Sequence, residues 1–286
     1  MEFDRADANG KVAIIGLPSD HNSSFMKGAA EAPPLIRSAV FSDASNLWSE
    51  SGTNLDGEFA LHDAGDLTFA SDMDEFAAIE TAVQALLERG LLPIALGGDH
   101  AITYPAIRAV SRRHVGLTVL DFDAHTDLYD EFQGSRRSHA CPFARIMEEG
   151  LVRRLVQVGV RTLSGHQRRQ AEKFGVEVIE MRAWKDSLPA LQSPLYISFD
   201  LDALDPAFAP GVAHREPGGL SVRQALQAIQ SLQAQVVAAD IVEFNPRCDP
   251  AQITAMVCAK LVKEIAAKML EGNRRGYFRD GFSAQI

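Results

Sequence analysis

Eight short apolar runs recur along the chain, at 11–18, 61–67, 91–98, 117–125, 155–161, 176–180, 194–202 and 236–244. Most are apolar almost without interruption. That is the pattern of strands buried on both faces, not the alternation of a half-exposed sheet. Segments of helical period separate many of them. The stretch 74–90, "DEFAAIETAVQALLERG", closes on Gly90 in a helix-ending position, and 221–233, "SVRQALQAIQSLQ", opens on Ser221 as an N-cap. A last helix is expected over about 250–271. Strand–helix alternation predicts an α/β protein, a three-layer, doubly wound parallel sheet of about eight strands with helices on both sides. No Pro/Gly/Ser linker and no internal repeat divides residues 1–286, so a single domain is expected, with 1–10 and about 272–286 as peripheral tails.

In open parallel sheets, ligands collect beyond the carboxyl ends of the strands. Here those ends carry acids and imidazoles. One run leads into Asp99 and His100, the next into Asp123, His125 and Asp127, another into Asp200, Asp202 and Asp205, and the last into Glu243. A single Asp after a strand is usually a turn or a helix cap. Several at one rim would repel each other unless cations hold them, because an unpaired carboxylate is costly to desolvate. Residues i and i+2 of a strand share a face, so Asp123 can work with His125, and Asp200 with Asp202. His100, Asp123, His125, Asp127, Asp200 and Asp202 are therefore candidate metal ligands. Oxygen-rich ligands with some imidazole suit Mn²⁺ better than thiolate-seeking metals. Six are too many for one four-coordinate zinc; they suit two ions that share bridging carboxylates. The four aspartates balance two divalent ions, and a bridging hydroxide would then leave a negative site that attracts a cationic substrate. Asp99 is read as bracing the Gly97–Gly98 turn, and Asp205 as ordering its loop or supporting a ligand. His62, His114 and His166 are read as structural or exposed.

Lys and Arg number 28 against 38 Asp and Glu, a net charge of −10 with no basic run, so no nucleic-acid partner is expected. No apolar run approaches the ~20 residues of a membrane span, so no membrane partner is expected. Cys141, Cys248 and Cys258 share no CxxC spacing and are odd in number, which argues against a disulfide framework. The start, "MEFDRADANGK", has no apolar core and carries acids, unlike a signal or transit peptide. A cytoplasmic protein is expected.

"GGDH" (97–100), "DAHTD" (123–127) and "SFDLDALDPAFAPG" (198–211) resemble the three signatures of the ureohydrolase family: arginases, agmatinases and guanidino-acid hydrolases. With "GLPSDHNSSF" (16–25) and "DIVEFNP" (240–246) the resemblance covers nearly the whole chain. "SHACPFARIMEEG" (138–150) and "APGVAHREPGGL" (209–220) resemble plant-type arginases most. The resemblance implies an arginase-like fold and a binuclear Mn²⁺ site. His100 and Asp127 would bind one ion, His125 and Asp202 the other, with Asp123 and Asp200 bridging. His139 would be a catalytic proton shuttle, and Glu243 the catalytic carboxylate that grips a guanidinium at two points. A homo-oligomer, trimer or hexamer, is also implied.

The small-molecule substrate would be a guanidino compound. L-Arginine, giving L-ornithine and urea, leads; agmatine, giving putrescine and urea, and a guanidino acid are the rivals. Ser135, Arg136, Arg137 and Ser138 lie where donors for a substrate carboxylate could sit, or they belong to a solvated loop or a subunit contact. Animal-type arginases carry aspartates where this chain has Thr162 and Ser164, so that contact with a substrate amino group cannot be transferred. "GVAHREPGG" replaces a Gly-Thr-rich stretch of many relatives, and His214 within it is either a pocket or a loop residue. Asp121, two before Asp123, faces the same way and is either a supporting partner or paired with a base. In a different class stand a metal-dependent amide deacetylase, which would not need Glu243, and a non-catalytic metal-binding protein, which should have lost a ligand or His139.

Overall fold

The structure, a computed structural model, describes residues 11–56, 60–70 and 74–277, with side chains as far as 272. Of the two expected tails, 1–10 and 278–286 lie outside these residues. The eight apolar runs all form strands: β1 Val12–Leu17, β2 Leu61–Asp66, β3 Leu92–Gly97, β4 Thr118–Phe122, β5 Arg154–Val160, β6 Glu177–Glu180, β7 Leu195–Asp200 and β8 Val236–Val242. The α-helices are α1 Ala32–Val40, α2 Glu75–Glu88, α3 Thr103–Arg113, α4 Pro142–Glu148, α5 Gly165–Phe174, α6 Val222–Ser231 and α7 Ile253–Tyr277. The strands make one sheet in the order β2-β1-β3-β8-β7-β4-β5-β6, and every pairing is parallel. β7 and β8 return to the middle, so the carboxyl ends of β3, β8, β7, β4 and β5 share one central rim.

The strands are apolar on both faces because each face has its own helical layer. In β1, Val12 and Ile14 pack with Ile36 of α1, Leu226 of α6 and Val262 of α7. Ala13, Ile15 and Leu17 point the other way, toward Ile79 of α2, Ile107 of α3 and Phe143 of α4. The outer strands β2 and β6 are exceptions: Asp63 and Asp66 of β2 are paired with Arg37 of α1, and Glu177 of β6 with Arg154.

Local signals place the helix ends. Ser221 makes a reciprocal capping box with Gln224, and Gly90 follows α2 at φ 78°. The last helix differs from expectation. It starts at Ile253, because Ala251 and Gln252 are left-handed (φ 56° and 57°), and it continues to Tyr277.

Two close approaches set the rim. A Cβ on Gly98 would lie 1.7 Å from the carbonyl oxygen of Ser19, so the turn after β3 rests directly on the chain after β1. A Cβ on Gly159, at φ 106°, would lie 2.8 Å from the carbonyl oxygen of Asp123. Next to it, the Arg161 guanidinium donates to the carbonyl oxygens of Gly159, Asp202, Ala203, Leu204 and Glu216. One side chain thus ties β5 to the turn after β7. Removing it strands several carbonyls at once. Arg161→Met is expected to lower unfolding free energy by about 2–4 kcal/mol, since each buried acceptor left unpaired costs roughly 1–3 kcal/mol. Urea denaturation checks this, and a loss below about 0.5 kcal/mol would contradict the clamp.

Candidate metal centre

Three strand ends, those of β3, β4 and β7, bring the six predicted ligands together. His100 Nδ1 lies 3.0 Å from Asp127 Oδ2, and 3.3 Å from both Asp123 Oδ2 and Asp200 Oδ2. His125 Nδ1 lies 3.1 Å from Asp202 Oδ2 and 3.4 Å from Asp123 Oδ1. His100, Asp123 and Asp127 form one group that could hold an ion; Asp123, His125 and Asp202 form a second. Asp123 belongs to both. Asp200 reaches the first group through Oδ2, while its Oδ1 accepts the amide of Asp202. Asp127 is held in a left-handed conformation, φ 45°, which is uncommon for a residue with a side chain.

These atoms converge without bonding to one another. Among the described residues, His100 Nδ1 and Asp123 Oδ2 are buried and have no hydrogen-bond partner. The other ring nitrogen explains why. Ser198 Oγ donates its only hydrogen to Asp240 Oδ1 (2.7 Å), so it must accept from His100 Nε2 (3.0 Å). In the neutral ring this leaves Nδ1 as a lone pair aimed at three carboxylates. Only a cation, or an added proton, makes that arrangement favourable. Asp240 is held in turn by the hydroxyls of Thr103 (2.8 Å) and Tyr196 (2.6 Å). Gln157, Asp121, Ser198 and Asp240 stand in register across β5, β4, β7 and β8, a buried polar row beneath the ligands.

The titration shifts report the same demand for positive charge. Burial, then neighbouring aspartates, raise Asp123, and raise Asp121 and Asp200 well above the usual carboxylate range. Burial would lower His100 and His125, but the carboxylates around them outweigh it and raise both well above the usual range. At Asp202 burial raises, but His125 outweighs it and the acid is lowered. The donor set therefore fits a metal. It is oxygen-rich, has its imidazole tautomer set by a hydrogen bond, and is short of cations.

Glu243 closes the rim at the end of β8, also left-handed at φ 61°. Its amide donates to the Gly98 carbonyl (2.9 Å). Its Oε1 accepts the His100 amide (2.9 Å) and faces His139 Nδ1 (2.8 Å). Among the described residues Oε2 has no protein partner. His139 Nε2 meets Ser24 Oγ at 2.8 Å. Burial lowers the His139 pKa, but Glu243, Asp127 and Asp99 outweigh it and push it up to about 9. Asp99 caps its turn through Ala101 N and Asn22 N, and burial beside Glu243 pushes it up to about 7. Asp205 orders its loop by accepting the amides of Ala207 and Gly218.

A cavity of about 420 Å³ opens over this rim. His125, Asp127, Asp200, Asp202, His139 and Glu243 line it at the ligand cluster; Ser24, Tyr129, Phe132, Ala140, Thr162, Leu163, Ser164, Gln167 and His214 complete its walls. His214 is thus a pocket residue, its ring 5.4 Å from His139 and 5.9 Å from His125. Ser135, Arg136 and Ser138 are not among the residues that line this cavity. Arg136 is drawn to Asp130 and Glu148, and Arg137 to both oxygens of Asp74 with Phe76 beneath it. Ser135 Oγ accepts the Arg137 amide, and Ser138 Oγ the Ala140 amide. Reading the sequence missed Ser24, Tyr129, Gln167 and the Ser198–Asp240 pair. A period of two behind Asp200 would have pointed to Ser198.

The comparisons with known proteins agree. The model of the arginase family matches residues 10–267. The chain belongs to the arginase family. "Arginase 1, mitochondrial" of Arabidopsis thaliana is 46% identical over 92% of this chain and 82% of that protein. The solved structure of an arginase from Medicago truncatula superposes with a TM-score of 0.86 at 43% identity, covering 91% of this chain and 87% of that one. An agmatinase of Bacillus subtilis is more distant, 30% identical over 92% of each chain. This arginase-family chain is a metal-dependent hydrolase with the family's α/β fold. One expectation falls. The Arabidopsis and Medicago relatives are named mitochondrial, which points to an organelle and overturns the cytoplasmic reading. That reading rests on the cysteine usage, the pattern of the first residues and the lack of a long apolar run, none of which identifies a compartment by itself. Among the described residues no helix is long and apolar enough to cross a membrane.

The His139–Glu243 pair makes stability depend on pH. Because the folded His139 pKa is raised from 6.5 to about 9, its contribution is complete below 6.5 and is lost as pH rises through about 9. In metal-free protein, the melting-temperature gap between wild type and His139→Gln is expected to be widest in the acidic part of that window and to close above it. A gap that is flat with pH would refute the charged pair.

Proposed function

We propose that this chain hydrolyses L-arginine to L-ornithine and urea, with two Mn²⁺ ions held by His100, Asp123, His125, Asp127, Asp200 and Asp202. The observation that carries the reading is Glu243: a buried carboxylate with Oε2 free in a cavity that also holds the ligand cluster. The nearer likeness to plant arginases than to the agmatinase supports arginine as the substrate. His100 and Asp127 would hold one ion and His125 and Asp202 the other, with Asp123 and Asp200 completing the donor set. When bound, the ions supply the polarisation that lets water attack a carbon at neutral pH.

The protein's own groups do the rest. A guanidinium is a resonance-stabilised cation and a poor electrophile, so it must be held in position. Glu243 Oε2 accepts one of its N–H groups and offsets its charge. Since Oε1 already serves His100 and His139, the two-point grip expected from the sequence is reduced to one open oxygen. His139 holds a proton against Oε1 of the same carboxylate and delivers it to the leaving amine, with Ser24 meeting the other ring nitrogen. His214 and Tyr129 wall the chamber.

Agmatine is the second reading, because among the described residues no Lys or Arg lines the cavity to meet a carboxylate. A single-domain chain assembled as a homo-oligomer, trimer or hexamer, completes the proposal; light scattering that gives a monomer mass would remove the assembly. The decisive experiment is urea release by Mn²⁺-loaded enzyme offered arginine, agmatine and guanidinobutyrate side by side, with metal content measured. Arginine is expected to be fastest, with about two ions per chain. One tight ion at saturation, or no urea from any of the three, would refute the reading.

Glu243→Gln keeps the shape and removes the charge. It is expected to keep the metals and to lower kcat/KM by at least about 2 kcal/mol of transition-state stabilisation, the low end for breaking a buried charged pair. Near-wild-type kinetics on a destabilised protein would make Glu243 a structural group and the substrate class wrong.

A further inference from the structure

Both ring nitrogens of His139 are engaged by the protein. Nδ1 faces Glu243 Oε1 at 2.8 Å, and Nε2 meets Ser24 Oγ at 2.8 Å. The ring face is covered too: the His214 ring lies 5.4 Å away, tilted by 34°. The His139 amide is fixed by the Asn22 carbonyl at 3.1 Å. A general acid must present its proton within hydrogen-bond reach of the atom that takes it. Held in this way, neither nitrogen of His139 presents one directly to a substrate.

The two exits for a proton are unequal. With its pKa pushed up to about 9, His139 carries both ring protons at neutral pH, and each N–H donates. The Nδ1 proton points at the carboxylate that would hold the guanidinium. Passing it there would neutralise Glu243 and weaken its hold during the reaction. The Nε2 proton points at a hydroxyl. Ser24 Oγ accepts it and keeps its own hydrogen for a second partner. Among the described residues no protein group accepts that hydrogen, and Ser24 lines the active cavity.

The serine is also held in place. It lies in the segment between β1 and α1. Ahead of it, the Asn22 amide (2.9 Å) and the Ser23 hydroxyl (3.4 Å) both donate to Asp99 Oδ2. Beyond it, Asn245 Nδ2 donates to the carbonyls of Met26 and Lys27, and the Gly28 amide donates to Asp20 Oδ2 at 2.7 Å. Ser24 thus sits in a stretch tied down on both sides, and the Asn22 carbonyl ties that stretch to His139 itself.

We propose that Ser24 is a catalytic residue, the hydroxyl through which His139 protonates the leaving amine. The Nε2–H bond of His139 breaks as a new O–H bond forms at Ser24 Oγ. The original Oγ–H bond breaks as an N–H bond forms on the leaving nitrogen. The C–N bond of the tetrahedral carbon breaks, and its electron pair stays on that nitrogen. Ser24 ends as it began, and His139 is left neutral and regains its proton from water. The proposal rests on the proposed hydrolase reading and adds to it the path of the proton.

Ser24→Ala removes the relay and keeps the histidine. In the Mn²⁺-loaded enzyme, with its fastest guanidino substrate, kcat is expected to fall at least about tenfold, while KM and metal content stay near wild type. The loss stays below the roughly 10²–10⁴ of full general acid catalysis, because water can enter the space. Ser24→Val fills that space and should lose more. Ser24→Thr restores a hydroxyl and should recover most of the loss. In metal-free Ser24→Ala, an NMR titration of His139 should keep its raised midpoint, because Glu243 still faces Nδ1. Three results would overturn the relay: kcat within about twofold of wild type in both Ala and Val variants, an equal loss in Thr and Ala, or a His139 midpoint that returns to the ordinary range. With wild type still releasing urea, any of the three leaves the hydrolase reading standing. No urea from wild type with arginine, agmatine or guanidinobutyrate would remove both.

Discussion

A carboxylate taken out of water needs a positive charge against it, and the centre of this protein gathers more of them than its own bases can satisfy. Asp121, Asp123, Asp200, Asp202 and Glu243 are all nearly inaccessible, and the imidazoles among them are His100, His125 and His139. Burial and crowding raise Asp121, Asp123 and Asp200, while the rings and the acids they face, Asp202 and Glu243, shift toward their charged forms. A site of this kind invites divalent ions in its interior and a cationic group at its mouth, which is why one electrostatic demand serves both cofactor and substrate.

Meeting that demand requires a rigid frame. His100 is aimed from behind by Ser198 and Asp240, which belong to neighbouring strands in register. Asp202 sits on a turn whose carbonyls are gathered by Arg161. Glu243 is tied to the turn after β3 at two points, through its own amide and through its side chain. Each functional side chain thus has a support on a different strand, and the supports cross the sheet at right angles to the chain.

The strands and the six candidate ligands were legible in the sequence because both obey short-range rules. Strands buried on two faces read as apolar runs, and i, i+2 spacing put Asp123 with His125 and Asp200 with Asp202 at one rim. What was not legible depends on partners far along the chain. Arg136 and Arg137 looked like donors beside the pocket, but acids on α4 and before α2 claim them. Gln167 drew no notice in the sequence, and only the fold shows it buried against the cavity. The start of α7 was misplaced because left-handed Ala251 and Gln252 are non-glycine residues with no local signature.

The register of the central strands also has a consequence for how such a chain can vary in length. Asp121 is paired with Ser198, Ser198 with Asp240, and Asp200 with Val242. Inserting or deleting a single residue in β4, β7 or β8 would rotate an Asp away from the rim and bring an apolar neighbour such as Phe122 or Phe199 into its place. No point substitution could restore it. The surface stretches that join these strands to their helices carry no such phase, so length change is confined to them, and the rim must be inherited as a fixed-length unit.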